Sequence, residues 1–460
     1  MLNLIRIPFL SLMLLLVGCE SLPTLSKIEE IRASRRANAA QVVAKDGTFM
    51  VQQRAAIEEE LASVDGESLL VRQGKILEVL NGAPATPGNN SRILIDGPQT
   101  WQAIWGALES AKHHIHIESF IFEELDFDTR LSDLLIARKK AGVDIRILYD
   151  SVGSNATPAT FFKRLSEQGI ALCEFNPIHL FGGRLLKANH RDHRKIVIVD
   201  GKVGFTGGIN FHSVYRSGSA TQILTRMPTI DEGWRDTHVE LRGSSVQDLQ
   251  KLFLGTWVKQ SCGAVPTEHV FPVIENDGPH QVAIVGSSPD NNLSHMYLLL
   301  TAAISYARES VWLTTAYFVP DPNTINALKA AAKRGVDVRL LLPGITDSAL
   351  AFHAGRSNYE DLLSAGVKIF EQRDVLLHAK TIVVDGVWSS IGSSNFDWRS
   401  FCHNDEVNAV FLGDNFGGQM RKVFEHDLSL AHEVTLDSWR QRGPAVKFRE
   451  WLALQFDYLL

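Results

Sequence analysis

Cysteine is scarce in this chain, which contains four cysteines in 460 residues. Cys19 lies near the N-terminus, and the other three, Cys173, Cys262 and Cys402, are widely separated. An odd number at such intervals matches neither a dense disulfide framework nor a zinc-binding pattern. One disulfide among the three stays open as an alternative, and their spacing selects no pair.

The sequence also lacks an excess of positive charge and a long apolar run. Lys and Arg total 46 against 52 Asp and Glu, a net charge of −6. Proteins that neutralise a nucleic-acid backbone usually carry a basic surface, so no nucleic-acid partner is expected. The N-terminal apolar stretch 7–17 is too short to span a bilayer comfortably.

The N-terminus instead has the features of a bacterial lipoprotein signal. Arg6 precedes the apolar stretch, and residues 16–19 (LVGC) resemble a lipobox, where cleavage precedes the cysteine and its thiol is acylated. This interpretation predicts lipidation of Cys19 and a membrane-anchored protein of the bacterial cell envelope that faces the periplasm. Glu20 favours the outer over the inner membrane. A plain signal peptide or a short anchor helix is the alternative.

One pattern of polar residues occurs twice, as HRKIVIVDGKVGFTGGIN at 193–210 and HAKTIVVDGVWSSIGSSN at 378–395. In both copies a Lys and an Asp follow the His at the same spacing, and an Asn follows the Asp after a small-residue turn. Two copies with this spacing are not a chance event at ordinary residue frequencies, so the chain contains an internal duplication. The shared positions are His193, Lys195, Asp200, Asn210, His378, Lys380, Asp385 and Asn395.

The spacing brings reactive side chains together. The β-branched residues between each Lys and Asp predict a buried strand, on which His and Lys share one face. An imidazole, an ammonium and an amide, each supplied twice, suit a reaction at a phosphorus atom that carries anionic oxygens. An unperturbed imidazole pKa of about 6.5 would suit a nucleophile or an acid–base catalyst near neutral pH.

The duplicated motif resembles the HxKxxxxD hallmark of the phospholipase D superfamily. A narrower resemblance to bacterial cardiolipin synthases rests on GWRDTHVELRG (233–243), TTAYFVPD (314–321), KRGVDVRLLLPG (333–344) and LHAKTIVVDGVWSSIGSSNFDWRSFCHNDEVN (377–408). It implies a phosphatidyltransferase that joins two phosphatidylglycerols into cardiolipin and glycerol, at a membrane surface, without cofactor or metal. A phospholipase D that hydrolyses head groups, a phosphodiesterase or nuclease, and a non-catalytic lipoprotein stay as alternatives; no oligomeric state is predicted.

The resemblance also implies roles for the motif residues. It makes His193 the nucleophile, while His378 protonates the leaving alcohol and then activates the acceptor hydroxyl. Asp200 and Asp385 end apolar strands, and we expect them to brace the site through buried ion pairs. The remaining motif side chains are expected to hold the non-bridging oxygens: Lys195, Lys380, Asn210 and Asn395.

Other polar residues are candidates for the surroundings of the site. Asp236 and Glu406 follow the two motifs at analogous strands, and we expect them to orient the imidazoles, with Asp405 as a rival to Glu406. Solvated carboxylates at strand edges are the alternative. Arg399 and Ser400, in NFDWRS, match the cardiolipin synthase pattern and are candidates for the pocket of the second substrate.

His114, His116 and Glu118 share one face of a predicted strand. A metal cluster is one interpretation, but a polar strand face that lines or supports the cleft is favoured. Glu118 is a candidate pocket residue, because relatives carry Glu near the site.

The predicted fold is α/β, with two tandem phospholipase D-like domains in a pseudo-twofold arrangement that share one active site. Two separate sites are the alternative. The apolar segments 178–187 and 445–460 are expected to contact membrane, although a helix docked on the protein's own core explains the second equally well. The expected divisions are a signal peptide (1–18), a helical arm and linker (19–90), the two domains (91–265 and 266–435) and an amphipathic tail (436–460).

Overall fold

The computed structural model describes residues 53–127, 130–178, 189–219, 233–266, 268–275, 277–291 and 294–456. The predicted signal peptide, Cys19 and nearly all of the apolar segment 178–187 lie outside these ranges. The fold presented below is that of the compact unit Ile57–Leu460. None of the helices in the described ranges has both the length and the hydropathy needed to cross a bilayer.

The first half is built on a mixed sheet. Its strands are β1 (Thr86–Gly88), β2 (Asn90–Ile95), β3 (His114–Ser119), β4 (Asp144–Asp150), β5 (Ala171–Phe175), β6 (Arg191–Asp192), β7 (Lys195–Val199), β8 (Val203–Gly207) and β9 (Thr237–Arg242). Seven of them form a sheet in the order β2-β9-β8-β7-β3-β4-β5. Every residue of the central strand β7, KIVIV, is buried, as in strands that are covered on both faces.

The second half repeats this arrangement. Its strands are β10 (Gly278–Ser287), β11 (Ser310–Thr314), β12 (Phe318–Val319), β13 (Asp337–Pro343), β14 (Lys368–Gln372), β15 (Thr381–Val384), β16 (Trp388–Gly392), β17 (Phe396–Asp397), β18 (Asn404–Leu412) and β19 (His432–Val434). The order β10-β18-β16-β15-β11-β13-β14 matches the first sheet strand for strand. The prediction of two tandem α/β halves is confirmed.

Helices connect the strands and cover the sheets. In the first half they are Leu69–Asn81, Asp96–Ser110, Leu131–Lys140, Ala159–Glu167 and Ser245–Lys259. In the second half they are His295–Ser305, Pro322–Lys333, Ala349–Arg356, Tyr359–Ser364, Trp398–Cys402, Asp414–Ser429, Leu436–Arg440 and Pro444–Leu454. Local sequence explains where one of them begins: the Asp321 side chain caps the helix that starts with Pro322.

One apolar core joins the two halves. Side chains from β7 and β9 of the first sheet meet side chains from β15, β16 and β18 of the second in a single buried cluster. The sheets therefore pack face to face, and this contact holds the two copies of the motif in a fixed relation. Representative members of the cluster are Ile196, Ile198, Val239, Val383, Ile391 and Val407.

Two stretches differ from the sequence-based expectation. Within 81–90, interpreted as a linker, residues Thr86–Gly88 form strand β1 and pair with β10. The apolar residues of 310–319 (SVWLTTAYFV) predict one strand, but this stretch divides into β11 and β12, and β12 leaves the sheet to pair with β17. Strand propensity alone does not reveal this change of partner, because tertiary pairing decides it.

A disulfide joins Cys173 to Cys262, with 5.4 Å between their Cα atoms, and Cys402 is not part of it. The bond ties strand β5 to the residues that follow the helix Ser245–Lys259. The two cysteines are 89 residues apart, so their proximity could not be inferred from spacing. Disulfides of this kind are typical of proteins that fold in an oxidising compartment.

Replacing Cys262 by serine is expected to lower the free energy of unfolding by about 2–4 kcal/mol, because the bond restricts the unfolded chain. Denaturant unfolding of the oxidised wild type and variant measures the difference. Cys402→Ser is the control, since it leaves the bond intact. Equal destabilisation by both substitutions would contradict the pairing.

Candidate active site

Backbone hydrogen bonds between the halves position the two motif histidines. Strand β6 pairs in parallel with β18, and the His193 N–H donates to the Asp405 carbonyl at 2.9 Å. In the same way the His378 N–H donates to the Arg235 carbonyl at 2.8 Å. The residue that follows each backbone partner is acidic, namely Glu406 after Asp405 and Asp236 after Arg235. Each histidine is thereby held beside a carboxylate.

His193 is oriented by Glu406 from the second half. Its Nδ1 lies 3.0 Å from both carboxylate oxygens of Glu406. The buried carboxylate also accepts hydrogen bonds from the Ser393 hydroxyl and from Asn404 Nδ2. Burial raises the pKa of Glu406 to about 7, although the charge of Lys195 opposes the shift. With Nδ1–H directed to Glu406, the Nε2 lone pair of His193 is available as a nucleophile.

His378 is oriented by Asp236 from the first half. Its Nδ1 lies 2.8 Å from Asp236 Oδ2 and 2.8 Å from the Tyr215 hydroxyl, which also hydrogen-bonds Asp236. Burial would raise the pKa of Asp236, but attraction and hydrogen bonding to His378 and the charge of Lys380 outweigh it and lower the pKa. Asp236 is therefore an ionised acceptor for both the Nδ1–H of His378 and the hydroxyl of Tyr215.

The orienting carboxylates are thus exchanged between the halves. Asp236 and Glu406 were expected beside imidazoles, and both contact one, but each serves the histidine of the other half. Neither half can complete its own histidine–carboxylate pair. The charge of Lys380 also acts on His193 and on Lys195, so the two motifs lie close to each other. Both observations support a single shared site over two separate ones.

The two motifs differ where they approach these carboxylates. A Cβ atom at Gly208 would lie 2.0 Å from Asp236 Oδ1, so only glycine leaves room for this carboxylate. Ser393 occupies the matching position in the second motif, and its hydroxyl donates to Glu406. The Gly–Gly and Gly–Ser sequences therefore reflect two ways of accommodating an orienting carboxylate.

Both imidazoles have a lowered pKa, so the expectation of unperturbed values was wrong. For His193 the main cause is burial, with added repulsion from Lys195 and Lys380. For His378 burial, again with Lys380, lowers the pKa to about 4. The sequence pattern predicted the neighbouring cations but not the depth of burial, and burial disfavours the charged imidazole. In the free enzyme both rings are neutral at pH 7.

Two buried ammonium groups face the same site. Burial lowers the pKa of Lys195 to about 7 and that of Lys380 to about 8. Lys195 donates to the His193 carbonyl at 2.6 Å, and Lys380 Nζ lies 2.9 Å from His378 Nε2. Asn395 Oδ1 is buried and has no hydrogen-bond partner among the described residues. Such groups are poised to exchange these contacts for the oxygens of an anionic substrate.

The chain is similar to known proteins over most of its length. Residues 104–217 and 300–428, each with one motif, match the family "Cardiolipin synthase, PLD-like domain". Cardiolipin synthase 2 of Bacillus anthracis is 38% identical over 378 residues, which cover 82% of this chain and 71% of that protein. The chain belongs to the cardiolipin synthase family. Cardiolipin synthase of Alkalihalophilus pseudofirmus is 34% identical over 393 residues, covering 85% and 76% respectively.

The fold of this cardiolipin synthase family member also occurs in a solved structure. Phosphatidylserine synthase of Haemophilus influenzae Rd KW20 superimposes with a TM-score of 0.58 at 12% identity, covering 80% of this chain and 95% of the other. The identity is low, so this likeness concerns the fold alone. Family membership makes the chain an enzyme of the phosphatidyltransferase and phospholipase D type.

The motif aspartates lie away from this centre. Asp200 accepts hydrogen bonds from the backbone N–H groups of residues 112–114, and Asp385 from those of residues 308–310. Among the described residues both aspartates form these bonds and not the expected ion pairs. The prediction of buried ion pairs was therefore wrong. Both adopt a positive φ, 55° and 54°, at the far ends of their strands. They hold β7 against β3 and β15 against β11.

Asp405 does not compete with Glu406. Its Oδ1 lies 2.8 Å from His190 Nε2. Among the described residues its carboxylate bonds to neither motif histidine, and Asp405 reaches His193 only through its backbone carbonyl. Ser400 accepts a hydrogen bond from the Asn395 N–H at 3.1 Å and also bonds to Glu406. Arg399 donates to Asn189 at 3.0 Å, and its charge contributes to lowering the pKa of His193. The Arg399–Ser400 pair therefore lies beside the His193 side of the site.

Strand β3 supports the site from behind. His114 and His116 both hydrogen-bond Gln250. Glu118 is fully buried, lies 3.7 Å from the Arg194 guanidinium and accepts a hydrogen bond from Thr256. Its carboxylate braces the residue next to His193. No cluster of metal-binding side chains occurs in the ranges that the structure describes.

Aromatic rings surround the imidazoles, and none of them belongs to either copy of the motif. Trp234 and Tyr317 fall within segments that carry the family resemblance, whereas Phe120 and Tyr215 belong to no recognised pattern. Rings of this kind exclude water from a polar site. The centroid distances are 5.4 Å for Phe120 to His193, and 6.1, 5.1 and 6.3 Å for Tyr215, Trp234 and Tyr317 to His378.

Tyr215→Phe is expected to lower kcat about 5- to 10-fold with little change in KM, the usual cost of one lost hydrogen bond. Without the Tyr215 donor, Asp236 bears more charge toward His378, so the pKa of His378 should rise. The pH profile of kcat tests this. Tyr297→Phe is the control, because its hydroxyl bonds Asp321 instead. An unshifted profile in Tyr215→Phe would remove Tyr215 from the catalytic arrangement.

Proposed function

We propose that this enzyme transfers the phosphatidyl group of one phosphatidylglycerol to the hydroxyl of a second, which forms cardiolipin and releases glycerol. The observation that carries this proposal is the pair of buried histidines, each oriented by a carboxylate of the other half. A phosphodiester reaction needs a nucleophile on one side and a proton donor on the other. Phospholipid as the substrate class comes from the family, and cardiolipin as the product from the names of its relatives. Phosphatidylglycerol as the donor and acceptor is part of the proposal.

In the first step His193 Nε2 attacks the phosphorus and the bond to the glycerol oxygen breaks. His378 gives its Nε2 proton to that oxygen, so glycerol leaves neutral. His378 is neutral in the free enzyme, but a bound phosphodiester anion favours its protonated form. The same anion draws Lys380 away from the 2.9 Å contact with His378 Nε2.

In the second step the hydroxyl of another phosphatidylglycerol attacks the phosphorus, and the bond to His193 breaks. His378 accepts the hydroxyl proton and is ready to act as an acid again. Lys195, Lys380, Asn210 and Asn395 hold the non-bridging oxygens in both steps. These side chains supply the charge that the reaction needs, and the proposal includes no cofactor or metal.

Hydrolysis is the competing outcome, since water can replace the second lipid. The four aromatic rings around the imidazoles support transfer, because they limit the water that reaches the phosphohistidine.

We propose the boundaries 91–265 and 266–435 for the two domains that form this site. Arg399 and Ser400 are the residues that we assign to the second lipid's pocket.

The enzyme is further proposed to work at the periplasmic side of the bacterial envelope, anchored through Cys19. The Cys173–Cys262 disulfide supports export, because such bonds persist in oxidising compartments. The outer membrane is favoured by Glu20. No nucleic-acid partner is proposed for a chain with a net charge of −6.

Cells that express the chain are expected to incorporate labelled palmitate into it, and Cys19→Ser is expected to abolish the label. Acylation requires the thiol of this cysteine, whereas Cys402→Ser leaves it in place and serves as the control. Gel electrophoresis of the labelled protein provides the measurement. An unlabelled wild-type chain would favour a plain signal peptide or an anchor helix.

Product analysis tests the reaction itself. Purified enzyme is incubated with phosphatidylglycerol vesicles, and the lipids are identified by mass spectrometry beside a His193→Ala control. Cardiolipin with an equal amount of glycerol is the expected result. Phosphatidic acid as the main product would replace the proposal with a hydrolytic phospholipase D.

A further inference from the structure

The C-terminal helix Pro444–Leu454 exposes large apolar side chains. Phe448, Trp451 and Leu452 are 60%, 55% and 46% exposed, and Phe456 just beyond the helix is also exposed. The rings of Phe448 and Trp451 stack on each other with their centroids 5.8 Å apart. Exposed groups of this size in one place mark an interaction surface rather than ordinary surface composition.

The opposite face of this helix is fixed to the protein. Ala453 is buried in a cluster with Val319, Ala351 and Ala354. Glu450 is buried and pairs with Arg442. The helix is therefore docked by one face, and its apolar exposure does not come from a loose terminus. Docking on the protein's own core, one of the two sequence-based interpretations, therefore describes this face of the helix.

The arrangement of charges around the exposed face indicates what it binds. At about 100° per residue, Trp451, Phe448 and Leu452 span an arc of roughly 100°. Lys447 lies about 40° beyond one edge of this arc, and Arg449 about 60° beyond the other. Both cations are exposed. An apolar arc with aromatic rings and a cation at each edge is the pattern of helices that lie in a bilayer interface, where the cations reach the phosphates.

We propose that the C-terminal helix docks this exposed face, defined by Phe448, Trp451 and Leu452, on a bilayer that contains anionic phospholipid. The inference rests on the proposed function in one respect, namely that the substrate is held in such a bilayer. The docked side of the helix shares its cluster with Tyr317, whose ring lies 6.3 Å from the ring of His378. Docking therefore holds the catalytic centre close to the lipid surface.

Contact with lipid is measured by tryptophan quenching in the full chain, reconstituted in vesicles of brominated phosphatidylglycerol. Quenching of the wild type is expected, and Trp451→Phe is expected to lose most of it. Trp105→Phe, which removes a partly buried tryptophan of the first half, is the control and should keep the quenching. Equal quenching in wild type and Trp451→Phe would overturn the proposal, as would its absence in both.

The functional consequence is measured with a double variant, Phe448→Ser/Leu452→Ser. Its activity on phosphatidylglycerol vesicles should fall at least about fivefold, while activity on soluble short-chain phosphatidylglycerol stays unchanged. Phe271→Ser/Val273→Ser removes two other exposed apolar side chains and should change neither activity. An equal loss on both substrates would contradict docking. If the lipid quenches the fluorescence but the product is phosphatidic acid, docking is retained and the synthase reaction is rejected. If cardiolipin forms without quenching, the synthase reaction is retained and docking is rejected.

Discussion

Alanine in place of His193 or of His378 is expected to reduce cardiolipin formation by at least about 10⁴-fold. His193 is the imidazole with a free Nε2 oriented by Glu406, and His378 is the proton donor oriented by Asp236. Because each half supplies one of them, neither can replace the other. Initial rates of product formation provide the measurement. Robust turnover by either variant would contradict the shared site.

Two controls separate a chemical effect from damage to the fold. His190→Gln alters a third imidazole, which contacts Asp405, and should leave the rate within about fivefold of the wild type. Thermal unfolding of the alanine variants should be similar to that of the wild type. If an alanine variant unfolds at a clearly lower temperature, the histidine is replaced by asparagine instead, which keeps a polar side chain of smaller size.

An activated donor lipid distinguishes the two histidines. With nitrophenol as the leaving group, protonation by His378 is not needed in the first step. His378→Ala should therefore release one equivalent of nitrophenol in a burst and then stop, because the acceptor is not activated. His193→Ala should give no burst. A burst from His193→Ala and none from His378→Ala would reverse the assignment of the nucleophile.

Glu406→Gln is expected to lower kcat by about 10²- to 10⁴-fold, although Glu406 belongs to the other half from the histidine it serves. The amide of glutamine can donate to Nδ1 of His193, which favours the tautomer with hydrogen on Nε2 and removes the attacking lone pair. The Asp-to-Asn change in the serine protease triad, which costs about 10⁴-fold, is the precedent for this magnitude. The burst experiment should place the defect of Glu406→Gln in the first step.

Asp405→Asn is the matched control, since it changes the adjacent carboxylate and leaves the His193–Glu406 contact in place. Its activity should stay within about tenfold of the wild type. Asp236→Asn, by contrast, should mainly impair the steps that depend on His378. If Asp405→Asn were as damaging as Glu406→Gln, the orienting role would belong to the buried network as a whole rather than to Glu406.

The duplication made much of the site predictable from sequence. Spacing within each motif identified the histidines and lysines, and β-branched residues identified the strands that carry them. Asp236 and Glu406 could be found by analogy between the halves. Their exchange could not, because it depends on backbone hydrogen bonds from His193 and His378 to carbonyl groups that lie more than a hundred residues away along the chain.

Other features could not be predicted from the sequence, because they depend on burial and tertiary packing. The pKa values of His193 and His378 depend on how deeply the sheets bury them, and motif spacing carries no information about depth. Tyr215 reaches His378 from a short 3₁₀ turn that has no recognisable pattern. The aspartates of the motif were expected to form ion pairs, but a positive φ turns each of them toward backbone amides.

The most direct test of the account is to locate the covalent intermediate. The enzyme is mixed with the activated donor lipid, quenched in base to preserve the labile phosphorus–nitrogen bond, digested and analysed by peptide mass spectrometry. A phosphatidyl group on His193 is predicted, in larger amount in His378→Ala and absent from His193→Ala. A phosphatidyl group on His378, or none on either histidine during turnover, would contradict the shared site with its exchanged carboxylates.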